Sequence, residues 1–170
     1  GRKLMVPPGP DMPAAMGLHK SMFLNTLTGQ TTDEQKKLFL EPAQRFEIIG
    51  CYAQTEVRCG NRSDPPESRP PLLTLASHQL GHGSNVQGLE TTATYHPETK
   101  SFILQSPGLS SAKWWIGGLG RTADSAIVMA QLHTPDGKNG AIVNRGPHAF
   151  FVPIRDRKTR EALPVRLSHD

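Results

Sequence analysis

The spacing of apolar residues changes once along this 170-residue chain, close to Phe46, and this change restricts the possible fold. Before it, apolar residues recur every three or four positions, as they do on one face of a helix. After it, short runs rich in β-branched and aromatic residues alternate with turns that contain Gly and Pro, which is typical of strands. Helices followed by strands predict an α+β fold.

The first part of the chain predicts two helices. The first covers residues 14–27 and brings Phe23 and Leu27 to one face. The second begins at Thr32, because Thr32 and Gln35 have the spacing of a capping box, and it runs for about three turns.

The remainder of the chain predicts a series of strands. These are Phe46–Ala53, Leu89–Tyr95, Ser101–Gln105, Ala112–Ile116, Ala126–Leu132 and Ala149–Ile154. A turn at residues 96–100 joins the second and third of them into a hairpin. Strands connected in this way favour an antiparallel sheet or a small barrel.

Two separate stretches have the composition of a ligand-binding turn. Cys51–Glu56 ends a strand-like run, and Leu80–Asn85 is a Gly-rich turn that leads into a Thr-rich strand. Such turns expose backbone N–H groups, and the side chains of Thr55, Ser84 and Asn85 add hydrogen-bonding groups. Together they suit a polar or anionic ligand.

The segment Val57–Gln79 separates these two stretches. It is rich in Pro and charged residues and has no apolar period, which predicts a loop without regular structure. Its first two codons can form a splice donor, and its last ten residues can be encoded by a pyrimidine-rich acceptor. We hypothesise an intron retained in frame. A genomic sequence without flanking splice sites would refute this.

Composition argues against several classes of protein. No apolar run reaches membrane-spanning length, and the basic residues behind the net charge of +4 are scattered, which does not favour a nucleic-acid surface. The one basic cluster, Arg155–Arg160, is predicted to be a solvated turn. Two cysteines do not form a disulfide framework and favour a reducing compartment. His78 and His82 have no third ligand nearby, so no metal site is predicted.

Six fragments, taken in order, resemble the acyl-CoA oxidases, which are peroxisomal relatives of the acyl-CoA dehydrogenases. They are GCYAQTE, LGHGSN, GLETTATYHPET, FILQSP, KWWIGGLGRT and HAFFVPIRD. The resemblance implies the end of a helical N-terminal domain at residues 1–45, followed by an antiparallel β-barrel middle domain at residues 46–170. Residues 57–79 are then an inserted loop, and a C-terminal helical half is expected beyond the end of this sequence.

The resemblance also implies an FAD site. Thr55 and Gly117 match residues that contact the isoalloxazine ring, Trp115 matches the aromatic residue beside it, and Tyr52 and Ala53 belong to the same cofactor-binding stretch. Hydrogen-bond donors beside the ring favour its anionic reduced form, and a glycine lets the backbone approach it.

The predicted substrate contacts lie in the second stretch. Ser84, next to Asn85, matches a serine that meets the acyl-CoA substrate in the related dehydrogenases. A simple turn role for Ser84 stays open. The tandem tryptophans are also open, and we expect one of Trp114 and Trp115 to be a core residue and the other a wall of the cofactor site.

The family reaction converts a fatty acyl-CoA into a trans-2-enoyl-CoA. A glutamate removes the α-proton, a hydride passes to the flavin, and molecular oxygen reoxidises the flavin to give hydrogen peroxide. That glutamate comes from the C-terminal helical half, and no glutamate here, Glu56 and Glu90 included, matches it. The resemblance therefore implies no catalytic residue within this chain.

We expect the full-length parent to be a homodimeric peroxisomal enzyme of fatty acid β-oxidation, and this chain to be an inactive fragment or splice isoform. The last residues, Ser168-His169-Asp170, do not form a peroxisomal targeting tripeptide. The alternative is a non-catalytic β-domain fragment that acts as a binding or interaction module.

Overall fold

The structure is a computed structural model that describes residues 14–57, 86–136 and 140–164. Helices come first and strands follow, which confirms the predicted α+β class. The described residues form two compact units. The first unit contains residues 14–52, 117–127 and 151–164, and the second contains residues 53–57, 86–116, 128–136 and 140–150.

The α-helical and π-helical segments of the described residues all belong to the first unit. Helix α1 (Ala14–Leu18) continues through a π-helical turn (His19–Phe23) into α2 (Leu24–Gln30). Helix α3 (Asp33–Gln35) continues through a second π-helical turn (Lys36–Leu40) into α4 (Glu41–Gln44). Within the described ranges, no helix has both the length and the apolar character needed to cross a membrane.

The predicted capping box starts the second helical stretch. The backbone N–H of Gln35 donates to Thr32 Oγ1 at 3.3 Å, and the backbone N–H of Thr32 donates to Gln35 Oε1 at 3.0 Å. The box satisfies two N–H groups near the helix start that have no partner inside the helix. It confirms the start that the sequence predicts.

The core of the first unit forms around one face of the first helical stretch. His19, Phe23 and Leu27 follow one another at intervals of four and are 0%, 0% and 1% exposed. The wider π-helical turn helps to keep this four-residue spacing on one face, because an α-helix alone would drift. The Phe23 ring also occupies the direction in which a Cβ of Gly50 would point, so only glycine fits there.

The strands form one five-stranded sheet. They are β1 (Gly50–Ala53), β2 (Thr92–His96), β3 (Ser101–Gln105), β4 (Ser125–Pro135) and β5 (Ile142–Pro153). The order is β1-β4-β2-β3, and β5 also pairs with β4. Short 3₁₀ segments at Val86–Gly88 and Leu109–Ser111 precede β2 and follow β3.

The sheet is mixed, although the sequence predicts antiparallel pairing. The predicted hairpin is present, with β2 antiparallel to β3 from Thr92↔Gln105 to His96↔Ser101. In contrast, β2 is parallel to β4, with Thr92 opposite Gln131. Parallel neighbours need a long crossover, and β3 with its flanking loops supplies one.

Strand β1 is shorter than the strand predicted at Phe46–Ala53, because the first residues of that range form the turn that ends helix α4. The N–H of Phe46 donates to the carbonyl of Ala43 at 3.0 Å, and the N–H of Glu47 donates to Pro42 at 2.9 Å. Phe46 has a φ of 60°, which is typical of the residue that ends a helix. Strand pairing therefore begins only at Gly50.

A buried aspartate joins the elements of the first unit. The Asp124 carboxylate is 2% exposed and accepts the N–H of Ile49 at 3.0 Å and the Arg160 guanidinium at 3.2 Å. Its backbone carbonyl accepts the N–H groups of Ile154 and Arg155 at 2.8 and 3.1 Å. One residue thus connects the segments before β1, before β4 and after β5.

We expect Phe23→Ala to lower the free energy of unfolding by about 3–5 kcal/mol, because it leaves a cavity at a fully buried position. Its neighbour Met22 is 40% exposed, so the control Met22→Ala should cost about 1 kcal/mol or less. Urea unfolding of the 170-residue chain measures both. Equal losses for the two variants would contradict the assigned core.

The histidine in this core is held in one neutral form. His19 Nε2 donates to the carbonyl of Ala43 at 3.0 Å, and Nδ1 accepts the N–H of Gly50 at 3.0 Å. Only the Nε2–H tautomer makes both bonds. Burial lowers the pKa of His19, although the Ala43 carbonyl and the Asp124 charge partly oppose the shift.

This lowered pKa predicts a pH dependence of stability. The unfolded chain takes up a proton at His19 near the ordinary value of about 6.5, whereas the folded chain resists it, so stability is complete above that pH and falls below it. The urea midpoint of wild type should drop more from about pH 7.5 to about pH 5.5 than that of His19→Gln. The exposed-site control His148→Gln should follow wild type.

Candidate functional site

The structure describes all the predicted FAD contacts and neither predicted substrate contact. Ala53, Thr55 and Trp115 lie in the second unit, and Tyr52 and Gly117 lie in the first. Ser84 and Asn85 lie outside the described residues, as does most of the predicted loop 57–79. The functional roles of all these residues stay predictions.

A short antiparallel bridge fixes Thr55 beside the tryptophans. Glu56 pairs with Lys113 across the bridge, the N–H of Trp114 donates to the Thr55 carbonyl at 2.9 Å, and the N–H of Val57 donates to Ala112 at 2.9 Å. The hydrogen bonds flank the Glu56–Lys113 pair, which is therefore a non-hydrogen-bonded pair with closely spaced side chains. The bridge replaces the strand predicted at residues 112–116.

The Glu56 carboxylate is fully buried and accepts hydrogen bonds from Glu90, Thr91 and Lys113. One oxygen accepts the N–H of Glu90 at 2.8 Å. The other accepts the N–H of Thr91 at 3.0 Å and the ammonium group of Lys113 at 2.9 Å. Backbone donors combined with a cation are the conditions under which a carboxylate can be buried at low cost. These bonds place the start of the Thr-rich segment next to the Gln-Thr-Glu stretch.

The ammonium group of Lys113 makes further bonds on its own side of the bridge. It donates to the carbonyl of Met129 at 2.7 Å and to the carbonyl of Gln54 at 3.3 Å, in addition to Glu56. An ammonium group has three donors, and all three find acceptors here. Lys113 therefore ties strand β4 to the chain on one side of Thr55.

The tandem tryptophans are both exposed. Trp114 is 52% exposed and Trp115 is 69% exposed, and their rings meet edge to face with centroids 6.1 Å apart. The expectation that one of them is a core residue is wrong, because both rings reach the surface. Large exposed aromatic rings with fixed neighbours suit contact with a planar ligand.

Trp115 also has an unusual backbone. Its φ is 60°, which is uncommon for any residue except glycine and costs conformational energy in a bulky one. This conformation interrupts the extended backbone after the bridge, so residues 112–116 do not continue as a strand. The orientation of the Trp115 indole is thereby fixed by its own backbone conformation and by the adjacent Trp114, whose N–H is hydrogen-bonded to Thr55.

The remaining predicted FAD contacts have internal roles as well. A Cβ on Gly117 would overlap the terminal methyl group of Leu18, so that side chain would have to move. Ala53 is 2% exposed and therefore buried in this structure. Tyr52 is half-buried, and burial raises the pKa of its hydroxyl.

Analysis of the sequence missed the charged pair that organises this site. From the sequence, Glu56 is compared only with the family's catalytic glutamate, which it does not match, and no role is assigned to Lys113. The available signal is a charged residue at one end of each of two motifs, Glu56 in GCYAQTE and Lys113 in KWWIGGLGRT. A lone charge flanked by apolar residues often indicates a buried pair, although sequence does not reveal its partner.

No three metal-ligating side chains come together in residues 14–57, 86–136 and 140–164. His78 and His82, the pair considered in the sequence, lie outside these ranges.

Comparison with known proteins gives one consistent result. Residues 10–49 match the family model described as acyl-coenzyme A oxidase N-terminal. The chain is 46% identical over 149 residues to peroxisomal acyl-coenzyme A oxidase 1 of Bos taurus, and the match covers 88% of this chain and 18% of that protein. The chain thus spans about a fifth of the length of such relatives.

Solved structures with the same fold give a similar result. Acyl-CoA oxidase-1 of Caenorhabditis elegans, complexed with FAD and ATP, aligns with a TM-score of 0.68 at 41% identity, covering 88% of this chain and 18% of that one. Acyl-CoA oxidase-2 of the same organism, bound with FAD, ascaroside-CoA and ATP, aligns with a TM-score of 0.67 at 40% identity and the same coverage.

The Glu56–Lys113 pair predicts a strongly non-additive mutant cycle. Glu56→Gln and Lys113→Met should each cost about 3–5 kcal/mol of unfolding free energy, because each leaves a buried charge without its partner. The double variant should cost clearly less than the sum of the two. Urea unfolding measures all three, and the exposed-site control Lys100→Met should cost about 0.5 kcal/mol or less. Additive losses would contradict the pairing.

Proposed function

The chain belongs to the acyl-CoA oxidase family, and we propose from this membership that it supplies flavin-contacting residues of an FAD-dependent acyl-CoA oxidase. The proposed reaction of the whole enzyme oxidises a fatty acyl-CoA to a trans-2-enoyl-CoA and releases hydrogen peroxide. Bound FAD supplies the hydride acceptor. The residues of this chain bind and orient it.

The observation that carries the proposal is the rigid placement of Thr55 beside two exposed indoles. The Thr55 carbonyl is engaged by Trp114, and the neighbouring Glu56 is fixed by three hydrogen bonds. A ligand that binds here meets a small polar residue and aromatic faces already held in place, so binding orders few groups. These are the features that the isoalloxazine ring requires, a flat contact surface and nearby hydrogen-bonding groups.

The substrate and setting follow from the relatives. One solved relative is bound with FAD, ascaroside-CoA and ATP, and we propose that the whole enzyme takes a fatty acyl-CoA, with Ser84 and Asn85 among its contacts. Molecular oxygen is the proposed second substrate. Relatives are named peroxisomal, and we propose the same location and a homodimeric parent.

The predicted domain division is also part of the proposal. Residues 1–45 would end the N-terminal helical domain and residues 46–170 would form the middle domain, with 57–79 as an insertion. The start of β1 at Gly50 is compatible with this boundary.

No residue of this sequence matches the family's catalytic glutamate, so the 170-residue chain alone should release no peroxide. The physical reason is positional: proton removal needs a carboxylate within hydrogen-bond reach of the substrate α-carbon. The described candidate Glu56 is already bound to two N–H groups and Lys113. The assay is peroxide release from a fatty acyl-CoA with added FAD. Turnover by the chain alone would contradict this proposal.

We expect FAD to quench the tryptophan fluorescence of the chain, because both of its tryptophans are exposed at the proposed site. Thr55→Val should weaken the FAD affinity about three- to ten-fold, through loss of one hydrogen-bonding group. The control Thr99→Val, in the β2–β3 turn, should bind FAD as wild type does.

The alternative function is a binding or interaction module. The same exposed rings favour it, together with Leu109, which is 72% exposed in the same unit. The titration separates the two functions. Saturable quenching that depends on Thr55 supports the flavin site, and its absence in wild type favours the interaction module.

A further inference from the structure

The predicted flavin contact Gly117 begins a tight turn within the first unit. In this turn, the carbonyl of Gly118 accepts the N–H groups of Thr122 and Ala123 at 3.0 and 2.9 Å. Gly118 has a φ of 83°, a conformation that glycine adopts readily. The turn, residues 117–122, is called the glycine turn below.

Two arginines bind the carbonyl groups of the glycine turn in order. Arg155 Nη2 donates to the carbonyls of Leu119 and Gly120 at 3.3 and 2.6 Å. Arg160 Nη2 donates to the next two carbonyls, those of residues 121 and 122, at 3.3 and 2.5 Å. Four successive carbonyls of one turn thus share two guanidinium groups.

Each arginine is itself held in position. Arg160 also donates from Nη1 to the buried carboxylate of Asp124 at 3.2 Å, and its φ of 63° is supported by its N–H bond to the Asp156 carbonyl at 2.9 Å. The N–H of Arg155 donates to the Asp124 carbonyl at 3.1 Å. At residues 155–160, where the sequence predicts a solvated turn, residues 156–160 are exposed as predicted and Arg155 is partly buried.

The turn that carries the arginines is closed by one aspartate. Asp156 Oδ1 accepts the N–H groups of Lys158 and Thr159, both at 2.8 Å, and these bonds lower the pKa of the carboxyl. The Nε–H of Arg155 is buried without an acceptor among the described residues, so the orientation of that side chain depends on its Nη2 bonds to the glycine turn. Arg157, in the same turn, is exposed.

We propose that Arg155 and Arg160 are positioning residues for the flavin: they fix the carbonyl side of the glycine turn, and with it the backbone of Gly117 that meets the cofactor. The proposal rests on the proposed function of this site. A planar guanidinium can hold two neighbouring carbonyls from one nitrogen, and a lysine ammonium holds them with less geometric definition. Loss of the guanidinium bonds of either arginine should loosen the glycine turn; replacement of Arg160 also changes its bond to Asp124, so Arg155 gives the more specific variant.

The test compares Arg155→Lys and Arg160→Lys with the control Arg157→Lys in the 170-residue chain. All three keep the charge, and only the first two lose bonds to the glycine turn. Two quantities are measured: amide hydrogen exchange of residues 117–122 and the affinity for added FAD. We expect each of the first two variants to raise exchange and weaken FAD binding about ten-fold, by loss of charge-assisted hydrogen bonds. Exchange of the β2–β3 hairpin and the behaviour of Arg157→Lys should stay as in wild type.

The outcomes separate the two proposals. Unchanged exchange in the glycine turn overturns the arginine proposal, whether or not FAD binds. Faster exchange with unchanged FAD affinity also overturns it and leaves the flavin site intact. If wild type binds no FAD, the proposed function of this chain is overturned and the positioning role with it, whereas faster exchange together with weaker FAD binding supports both.

Discussion

Each unit of this protein depends on a buried carboxylate that accepts at least one backbone N–H group. Asp124 serves the first unit and Glu56 the second, and each also binds one basic side chain. A carboxylate without such partners would be too costly to bury, so its neighbouring segments must stay in place for the fold to persist. Segments far apart in the sequence are thereby locked to one another: residue 49 to 124 in the first unit, and residues 90 and 91 to 56 in the second.

This arrangement accounts for the position of the predicted cofactor residues. Thr55 is adjacent to Glu56, and Gly117 begins the glycine turn, which lies just before Asp124. Thr55 is one position from Glu56, and Gly117 is seven positions from Asp124. Within each unit, the fixed charge holds the nearby backbone in place without a ligand, which reduces the entropy lost on binding.

Local signals made part of the fold predictable. The capping box at Thr32 and the hairpin at residues 96–101 depend on residues close in sequence, and both are present. The missed features depend on distant partners. The predicted strand 46–53 does not begin until Gly50, because the N–H groups of Phe46 and Glu47 bind the end of helix α4. The parallel pairing of β2 with β4 depends on a crossover that no local pattern encodes.

In the candidate site too, features set by nearby residues are predictable and features set by distant partners are not. Its residue types can be recognised from motifs, but burial and partners cannot, so the sequence does not predict the pairing of Lys113 or the bonds from Arg155 and Arg160 to the glycine turn. For the tryptophans, the sequence predicts burial of one ring and the structure shows both exposed. Aromatic residues usually lie in a core, and only the structure shows both rings at the surface.

The unusual backbone of Trp115 is a physical reason to connect the exposure of its side chain with ligand binding. Phe46, Lys100, Trp115 and Arg160 are the non-glycine residues with positive φ in the described part of the chain. Three have local explanations: Phe46 ends a helix, Lys100 lies in a hairpin turn, and Arg160 binds Asp124.

Trp115 has the same strain, yet it is 69% exposed and gains little from burial. Strain of this kind persists only where neighbouring structure enforces it, and here the bridge at Glu56 and Lys113 does so. The bridge therefore stabilises an indole orientation that benefits the isolated chain little and that a planar ligand could use.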